Sequence, residues 1–332
     1  MNDRTRFLVC ALGIFFCYFY FAILQEKITR GRYGDELNED GSHGERFTFM
    51  LTLVGVQCLC NWIFAKGMLL AQPQKEDKTP TSYYISSALT YLLAMITSNM
   101  ALRWVPYPTQ VVGKSAKPIP VMILGVLIGN KKYDLKKYIC IIMIVIGVAL
   151  FMYKDGKVSS VKEETIGLGE LLLFLSLSMD GLTGAIQDRM RAASAPSGKQ
   201  MMLGMNGWST IMTGVAALGT GEFMDFIAFA GKYPHLWINL GMLALTGALG
   251  QLFIFMMVAG YGPLSCSVVT TTRKFFTVLC SVIFFGNVLV TRQWYGAVLV
   301  FAGLFADMFM GKKPQPAKKS AEKEKEKDKL IS

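Results

Sequence analysis

Two stretches of this 332-residue chain place basic residues in the middle of long apolar blocks: QVVGKSAKPIPVMILGVLIGN (110–130) and SVVTTTRKFFTVLCSVIFFGN (267–287). A shift of 157 residues aligns Lys117 with Lys274, and a Gly-Asn pair closes both stretches. Over the 34 residues around them, eight positions are identical. The chain is therefore predicted to contain an internal repeat that includes a charged membrane segment.

The rest of the chain is also apolar. Hydrophobic residues make up 52% and charged residues 17%, whereas a soluble domain carries about 25% charged residues. A helix needs about 20 apolar residues to cross the hydrocarbon core, and apolarity on all faces favours helices over a barrel. The fold class predicted is all-α, a polytopic membrane protein with ten transmembrane helices. The ten blocks are 7–24, 47–65, 83–102, 109–129, 138–153, 167–186, 201–220, 236–258, 264–286 and 294–310.

The aligned stretches are the fourth and ninth of these blocks, so the repeat unit has five spans. The predicted repeats are residues 1–153 and 154–310, followed by a disordered basic cytosolic tail at 311–332. Because five is odd, the second repeat is inverted relative to the first. Inverted repeats with a binding site between them are typical of transporters.

The net charge of +11 indicates orientation in the membrane. With an even number of spans, both termini lie on one side, and that side collects nineteen Lys and Arg against ten on the other. Cytosolic loops carry the excess of Lys and Arg, so both termini are predicted to be cytosolic. The excess lies mostly outside the apolar blocks, which favours membrane lipid and not nucleic acid as the partner.

The cysteines do not indicate a disulfide framework, a metal or a cofactor. All seven lie inside apolar blocks, and no Cys/His cluster has the spacing of zinc ligands. An enzyme is disfavoured because the apolar blocks contain no histidine and no closely spaced carboxylate pair for acid/base work. A non-catalytic receptor or scaffold, and a membrane-embedded transferase, remain the alternatives to a transporter.

Four cations lie near the bilayer middle: Lys114, Lys117, Arg273 and Lys274. Their combined insertion cost is about 10–14 kcal/mol. Neutralisation by the internal acids Asp180, Glu170 and Asp307 is one interpretation. The favoured interpretation is that the excess charge binds an anionic ligand, while Asp180 tunes or positions one cation.

The prolines of the fourth block support an irregular backbone at this point. Pro118 cannot donate to the Lys114 carbonyl, nor Pro120 to the Ala116 carbonyl. We therefore expect a kink, with the freed carbonyls facing protein or water.

Further candidates for substrate contact are Gln110, the hydroxyls of Thr270 and Thr271, and the pair Glu26 and Lys27 at the end of the first block. For the hydroxyls, interhelical hydrogen bonding is the alternative. For the pair, the alternative is a wetted helix end.

At these residues the chain resembles the nucleotide-sugar transporter family of the drug/metabolite transporter superfamily. The resemblance spans nearly all of 7–310 and rests on YFYFAILQEKITRGRYG (18–34), QVVGKSAKPIPVMILG (110–125), SMDGLTGAIQDRMR (178–191) and TTTRKFFTVLCSVI (270–283). It implies a ten-helix antiporter of the endoplasmic reticulum, or of the Golgi. The branch it resembles is associated with UDP-galactose or UDP-glucose transport and with ATP/ADP exchange.

The family's cationic positions correspond to Lys117, Arg273 and Lys274, with Lys114 nearby. The last four residues, KLIS (329–332), lack a dilysine retrieval signal, so residence in the endoplasmic reticulum is implied by the resemblance alone. The choice among ATP, ADP and UDP-sugars, and the oligomeric state, do not follow from the sequence.

Overall fold

The computed structural model describes residues 2–37, 43–101, 104, 110, 113–152, 166–284 and 291–310. Among these residues the chain forms eleven α-helices and one antiparallel hairpin. The elements are α1 (Asp3–Arg30), β1 (Arg32–Leu37), β2 (His43–Arg46), α2 (Met50–Ala71), α3 (Thr81–Ala101), α4 (Pro118–Leu127), α5 (Leu135–Met152), α6 (Ile166–Ala193), α7 (Gly198–Gly219), α8 (Glu222–Lys232), α9 (Leu236–Tyr261), α10 (Pro263–Phe284) and α11 (Thr291–Met310).

The helices fit a polytopic membrane protein. Within the part of the chain that the structure describes, four helices are long and apolar enough to cross a membrane: α1, α2, α6 and α9. The bent pair α7 and α8 makes a fifth if it is counted as one span. Large apolar side chains remain exposed on helix faces, such as Phe174 and Val215, each at 69%, as expected where lipid replaces water. The all-α class is confirmed, and the number of ten spans stays a prediction.

The chain divides into two compact units. The first comprises Met1–Asp77 and Ser197–Met257, and the second comprises Lys78–Pro196 and Val258–Ser332. Each unit combines helices from both predicted repeats. The repeat boundary at 153/154 is a statement about sequence and stays a prediction.

The first unit contains two elements that the apolar blocks did not predict: the hairpin and α8. The hairpin pairs Tyr33 with Glu45, and α8 turns away from α7 by 86°. Gly221 lies between α7 and α8 with φ +77°, a left-handed conformation that glycine adopts without steric cost. Tyr33 packs edge-on against Phe229 of α8 at 5.2 Å between ring centroids. These short elements lacked the long apolar run on which the prediction was based.

The second unit is held together by close helix crossings at small residues. A Cβ added at Gly147 of α5 would lie 2.8 Å from the Gly296 carbonyl oxygen of α11. In α6, Thr183 donates a hydrogen bond to Thr90 of α3 over 2.8 Å. Small residues allow backbones to approach where lipid supplies no hydrophobic drive. α6 thus contacts α3 through Thr183, and it also approaches α4, where a Cβ added at Gly181 would lie 2.8 Å from the Pro120 carbonyl.

Candidate functional site

The fourth apolar block is broken where its prolines predicted. Residues 113–115 are helical, 116–117 form a turn, and α4 begins at Pro118. Both carbonyls that the prolines leave without their usual donor accept hydrogen bonds from other backbone N–H groups of the turn. The Lys114 carbonyl accepts from the Lys117 N–H over 3.4 Å, and the Ala116 carbonyl accepts from the Ile119 N–H over 2.9 Å. The chain therefore satisfies these two carbonyls with i→i+3 hydrogen bonds, which tighten the turn as in a 3₁₀-helix.

A glycine of α6 fixes how closely α4 approaches. A Cβ added at Gly181 would lie 2.8 Å from both the carbonyl carbon and the carbonyl oxygen of Pro120. One turn further, a Cβ added at Gly184 would lie 3.1 Å from Val121. The proline turn is thus pressed against the helix that carries Asp180.

This approach brings two of the predicted cations onto one carboxylate. Lys114 Nζ lies 2.8 Å from Asp180 Oδ2, and Lys117 Nζ lies 2.8 Å from Asp180 Oδ1. The Asp180 side chain is 9% exposed, against 17% for Lys114 and 36% for Lys117. Each oxygen of the carboxylate therefore serves one lysine, and Lys117 retains the larger accessible surface.

The charge of the Lys114–Asp180–Lys117 group fits neither full neutralisation by internal acids nor cations that are left wholly without a counter-ion. Two ammonium groups and one carboxylate leave one net positive charge. Of the other two acids considered as counter-ions, Glu170 is exposed on α6, and the Asp307 side chain lies outside the described residues. Internal neutralisation is therefore partial at Lys114 and Lys117.

The ninth block contributes α10 to the same unit. Ala116 and Ile119 of the proline turn pack against a buried cluster that includes Leu264 and Val268 of α10, and Cys266 of the same helix is buried. Arg273 lies seven residues later, which is two helical turns, so it lies on the same face about 10 Å along the axis. Arg273 is partly buried. The side chain of Lys274 lies outside the described residues, so its position relative to Lys117 stays a prediction.

The two threonines predicted on α10 differ in their surroundings. Thr270 donates hydrogen bonds to the carbonyls of Cys266 and Ser267, both over 3.0 Å. Thr271 is 3% exposed. Thr270 therefore uses its donor within its own helix, and Thr271 is enclosed by protein.

The remaining predicted residues are Gln110 and the pair Glu26 and Lys27. Gln110 is buried and donates to the Ser98 carbonyl over 2.8 Å, which ties it to α3. Glu26 and Lys27 are exposed near the end of α1, in the other compact unit. A cavity of about 350 Å³ also lies in that unit, beside residues 73–77, and it includes none of the predicted residues.

A second buried charge cluster was missed by the sequence analysis. Asp188 of α6 is 2% exposed and lies 3.2 Å from Arg191 Nη1 and 3.6 Å from Lys131 Nζ. Arg191 also donates to the Ala259 carbonyl over 3.1 Å. The pKa of the Tyr133 phenol is raised above its ordinary value, mainly by burial and to a lesser extent by the nearby Asp188 carboxylate. The sequence signal was the i,i+3 spacing of Asp188 and Arg191, but Arg191 and Lys131 were counted only among the nineteen basic residues of the cytosolic side.

Comparison with known proteins identifies a family and a set of relatives. The model of the UAA transporter family matches residues 6–311. The chain is 65% identical over 313 residues to a Drosophila melanogaster protein called solute carrier family 35 member B1 homolog, covering 94% of this chain and 93% of that protein. It is 53% identical over 311 residues to solute carrier family 35 member B1 of Rattus norvegicus, covering 93% and 95%.

The fold has a counterpart among solved structures. A crystal structure described only as that of a protein superposes with a TM-score of 0.65, covering 93% of this chain and 98% of the other. Sequence identity is 10%, so this likeness concerns the fold alone.

Proposed function

The chain belongs to the UAA transporter family, and from this premise we propose that it exchanges nucleotides or nucleotide-sugars across a membrane by alternating access. Proteins of this family are transporters and not enzymes, so the membrane-embedded transferase is set aside. Candidate substrates are UDP-galactose, UDP-glucose, ATP and ADP. The membrane is that of the endoplasmic reticulum, or of the Golgi, with both termini in the cytosol.

The observation that carries the proposal is the Lys114–Asp180–Lys117 group. It retains one net positive charge on helices that the sequence places within the membrane. A phosphate chain offers several anionic oxygens, and ammonium or guanidinium groups bind these through charge-assisted hydrogen bonds. In this proposal Lys117, Arg273 and Lys274 hold the phosphates.

The helix contacts support an inverted repeat as the basis of alternating access. The 157-residue shift carries Gly147 to position 304 (147 + 157) and Gly296 back to position 139 (296 − 157). Those two positions are adjacent to Gly303 and Cys140, and a Cβ added at Gly303 would lie 3.1 Å from the Cys140 carbonyl oxygen. The contact of Gly147 with Gly296 thus has an approximate mate, as a two-fold relation between repeats requires.

Transport by the purified protein in liposomes tests the proposal. Labelled ATP, ADP, UDP-galactose, UDP-glucose and UMP are supplied outside vesicles that are either empty or preloaded with the same compound. We expect uptake of at least one compound, and several-fold more into preloaded vesicles. Equal uptake into both kinds of vesicle would contradict exchange. Binding without any uptake would instead favour the receptor or scaffold.

Lys117→Ala tests the assignment of the phosphate contact. We expect transport to be lost while the variant inserts and folds, because removing a charge lowers the insertion cost by about 3 kcal/mol. Glu170→Gln on α6 is the control, since that acid is exposed and is expected to leave transport unchanged. Normal transport by Lys117→Ala would place phosphate recognition elsewhere.

Location and orientation are tested separately in cells. An epitope added after residue 332 is expected to be accessible when only the plasma membrane is permeabilised, and to co-stain with an endoplasmic-reticulum or Golgi marker. Staining that requires permeabilisation of internal membranes would contradict the cytosolic terminus.

A further inference from the structure

Asp180 presents to the two lysines the same chemistry that a substrate phosphate would present. Its two oxygens accept one ammonium each at 2.8 Å, as two oxygens of a phosphate group would. The carboxylate therefore competes with any anion that approaches Lys114 or Lys117. The two lysines are not equivalent in this competition, because Lys117 is 36% exposed and Lys114 is 17% exposed.

We propose that Asp180 is an internal counter-ion that changes partners during transport: both lysines share it in the empty carrier, and Lys114 alone holds it when a substrate phosphate takes Lys117. Lys114 is then a positioning residue that acts through Asp180. This inference rests on the proposed function, because it assigns separate roles within the phosphate site of that transporter.

The cost of leaving a buried charge unpaired dictates this division of roles. If a phosphate displaced Asp180 from both lysines, a carboxylate that is 9% exposed would be left beside a second anion. Removing the partner of a buried charge is strongly unfavourable. Keeping Lys114 on Asp180 avoids that state and frees the more accessible lysine.

The same arrangement changes the charge of the empty carrier. With Asp180 present, the group carries one positive charge in place of two, so part of the repulsion that would oppose closure of an empty site is removed. We therefore expect slow but measurable uptake into vesicles without internal substrate. Asp180→Asn leaves two ammonium groups without the carboxylate, and it should reduce this uptake relative to exchange.

A double-mutant cycle tests the roles of Lys114 and Asp180. Dissociation constants for labelled ADP and UDP-glucose are measured on the purified wild type, Lys114→Ala, Asp180→Asn and the double variant Lys114→Ala/Asp180→Asn. Glu170→Gln serves as the control on the same helix. The double variant keeps the wild-type net charge, because it lacks one cation and one anion.

Lys114→Ala leaves Asp180 with Lys117 alone, so we expect binding to weaken at least about tenfold, the loss of one charged hydrogen bond. Asp180→Asn should bind more tightly than the wild type. Without the carboxylate, Lys114→Ala should have little further effect, so the double variant should bind within about threefold of Asp180→Asn. Lys114→Arg should bind as the wild type does, because arginine still supplies the cation that Asp180 needs.

A role of Lys114 in direct phosphate binding gives a different pattern and would overturn the proposal. In that case the Lys114→Ala change weakens binding by the same factor with or without the carboxylate. If Asp180→Asn does not fold, the double variant alone still decides, since binding tighter than that of the wild type supports the proposal and binding weaker than that of the wild type opposes it. Failure of the proposed function is distinguishable, because the wild type would then bind neither compound.

Discussion

Replacing Gly181 with alanine perturbs the contact that places the lysines on Asp180. The added Cβ would lie 2.8 Å from the carbonyl carbon and oxygen of Pro120 and 2.9 Å from Leu124 Cδ1. Reaching an ordinary contact of 3.4 Å requires the helices to separate by roughly 0.6 Å. Pro120 belongs to a backbone whose dihedral angles are restricted by proline, so the strain cannot be relieved by rotating a side chain.

Two opposing terms set the size of the effect. Overpacking costs about 1–3 kcal/mol, whereas alanine gains up to about 1 kcal/mol over glycine within a helix. The expected result is a net loss of about 1 kcal/mol in the free energy of unfolding. A separation of this size also lengthens the 2.8 Å contacts of Asp180 with Lys114 and Lys117. We therefore expect the exchange rate to fall by more than the loss of folded protein alone would explain.

Two other glycines on α6 make matched controls. A Cβ at Gly184 would lie 3.1 Å from a side-chain atom of Val121, and a Cβ at Gly167 would meet nothing within 4 Å. Thermal unfolding of the purified proteins should therefore rank Gly181→Ala least stable, Gly184→Ala intermediate and Gly167→Ala equal to the wild type or better. If Gly181→Ala is as stable and as active as Gly167→Ala, the close approach of α4 does not position the site.

Two further predictions concern contacts outside the lysine pair. Asp188→Asn removes the carboxylate beside Arg191, which is 14% exposed. Unfolding should become easier by about 3 kcal/mol, and an unchanged melting temperature would contradict the buried pairing. Glu222→Ala removes the acceptor of the Thr52 N–H at the start of α2, a contact of 2.8 Å. It should lower stability by about 0.5–2 kcal/mol, more than Asp225→Ala, which changes an exposed residue of the same turn. Equal effects in the two variants would rule out this capping role.

Two kinds of structural feature could be predicted from the sequence: helices that follow from long apolar runs, and a helix break that follows from the chemistry of proline. Each apolar block overlaps a helix in the described residues, because a long apolar stretch has few alternatives in a membrane. The break before Pro118 also followed from local chemistry, since proline lacks an N–H. The hairpin and α8 were missed because they depend on single features such as the left-handed Gly221.

The pairing of charges could not be predicted in the same way. Asp180 lies 63 residues after Lys117 (180 − 117), and it meets that lysine because Gly181 lets α6 approach the proline turn. The sequence analysis singled out Asp180 among three acids as the one that positions a cation, but it could not show that one carboxylate would hold both lysines. Asp188 was overlooked because its partners Arg191 and Lys131 were counted only among the nineteen basic residues of the cytosolic side.

The most direct test of the phosphate site is an experimentally determined structure of the carrier with ADP or UDP-glucose bound. We predict that a phosphate oxygen lies within hydrogen-bonding distance of Lys117 Nζ and that Asp180 remains on Lys114. A nucleotide bound elsewhere, with Asp180 still shared by both lysines, would contradict the assignment of these residues to substrate binding.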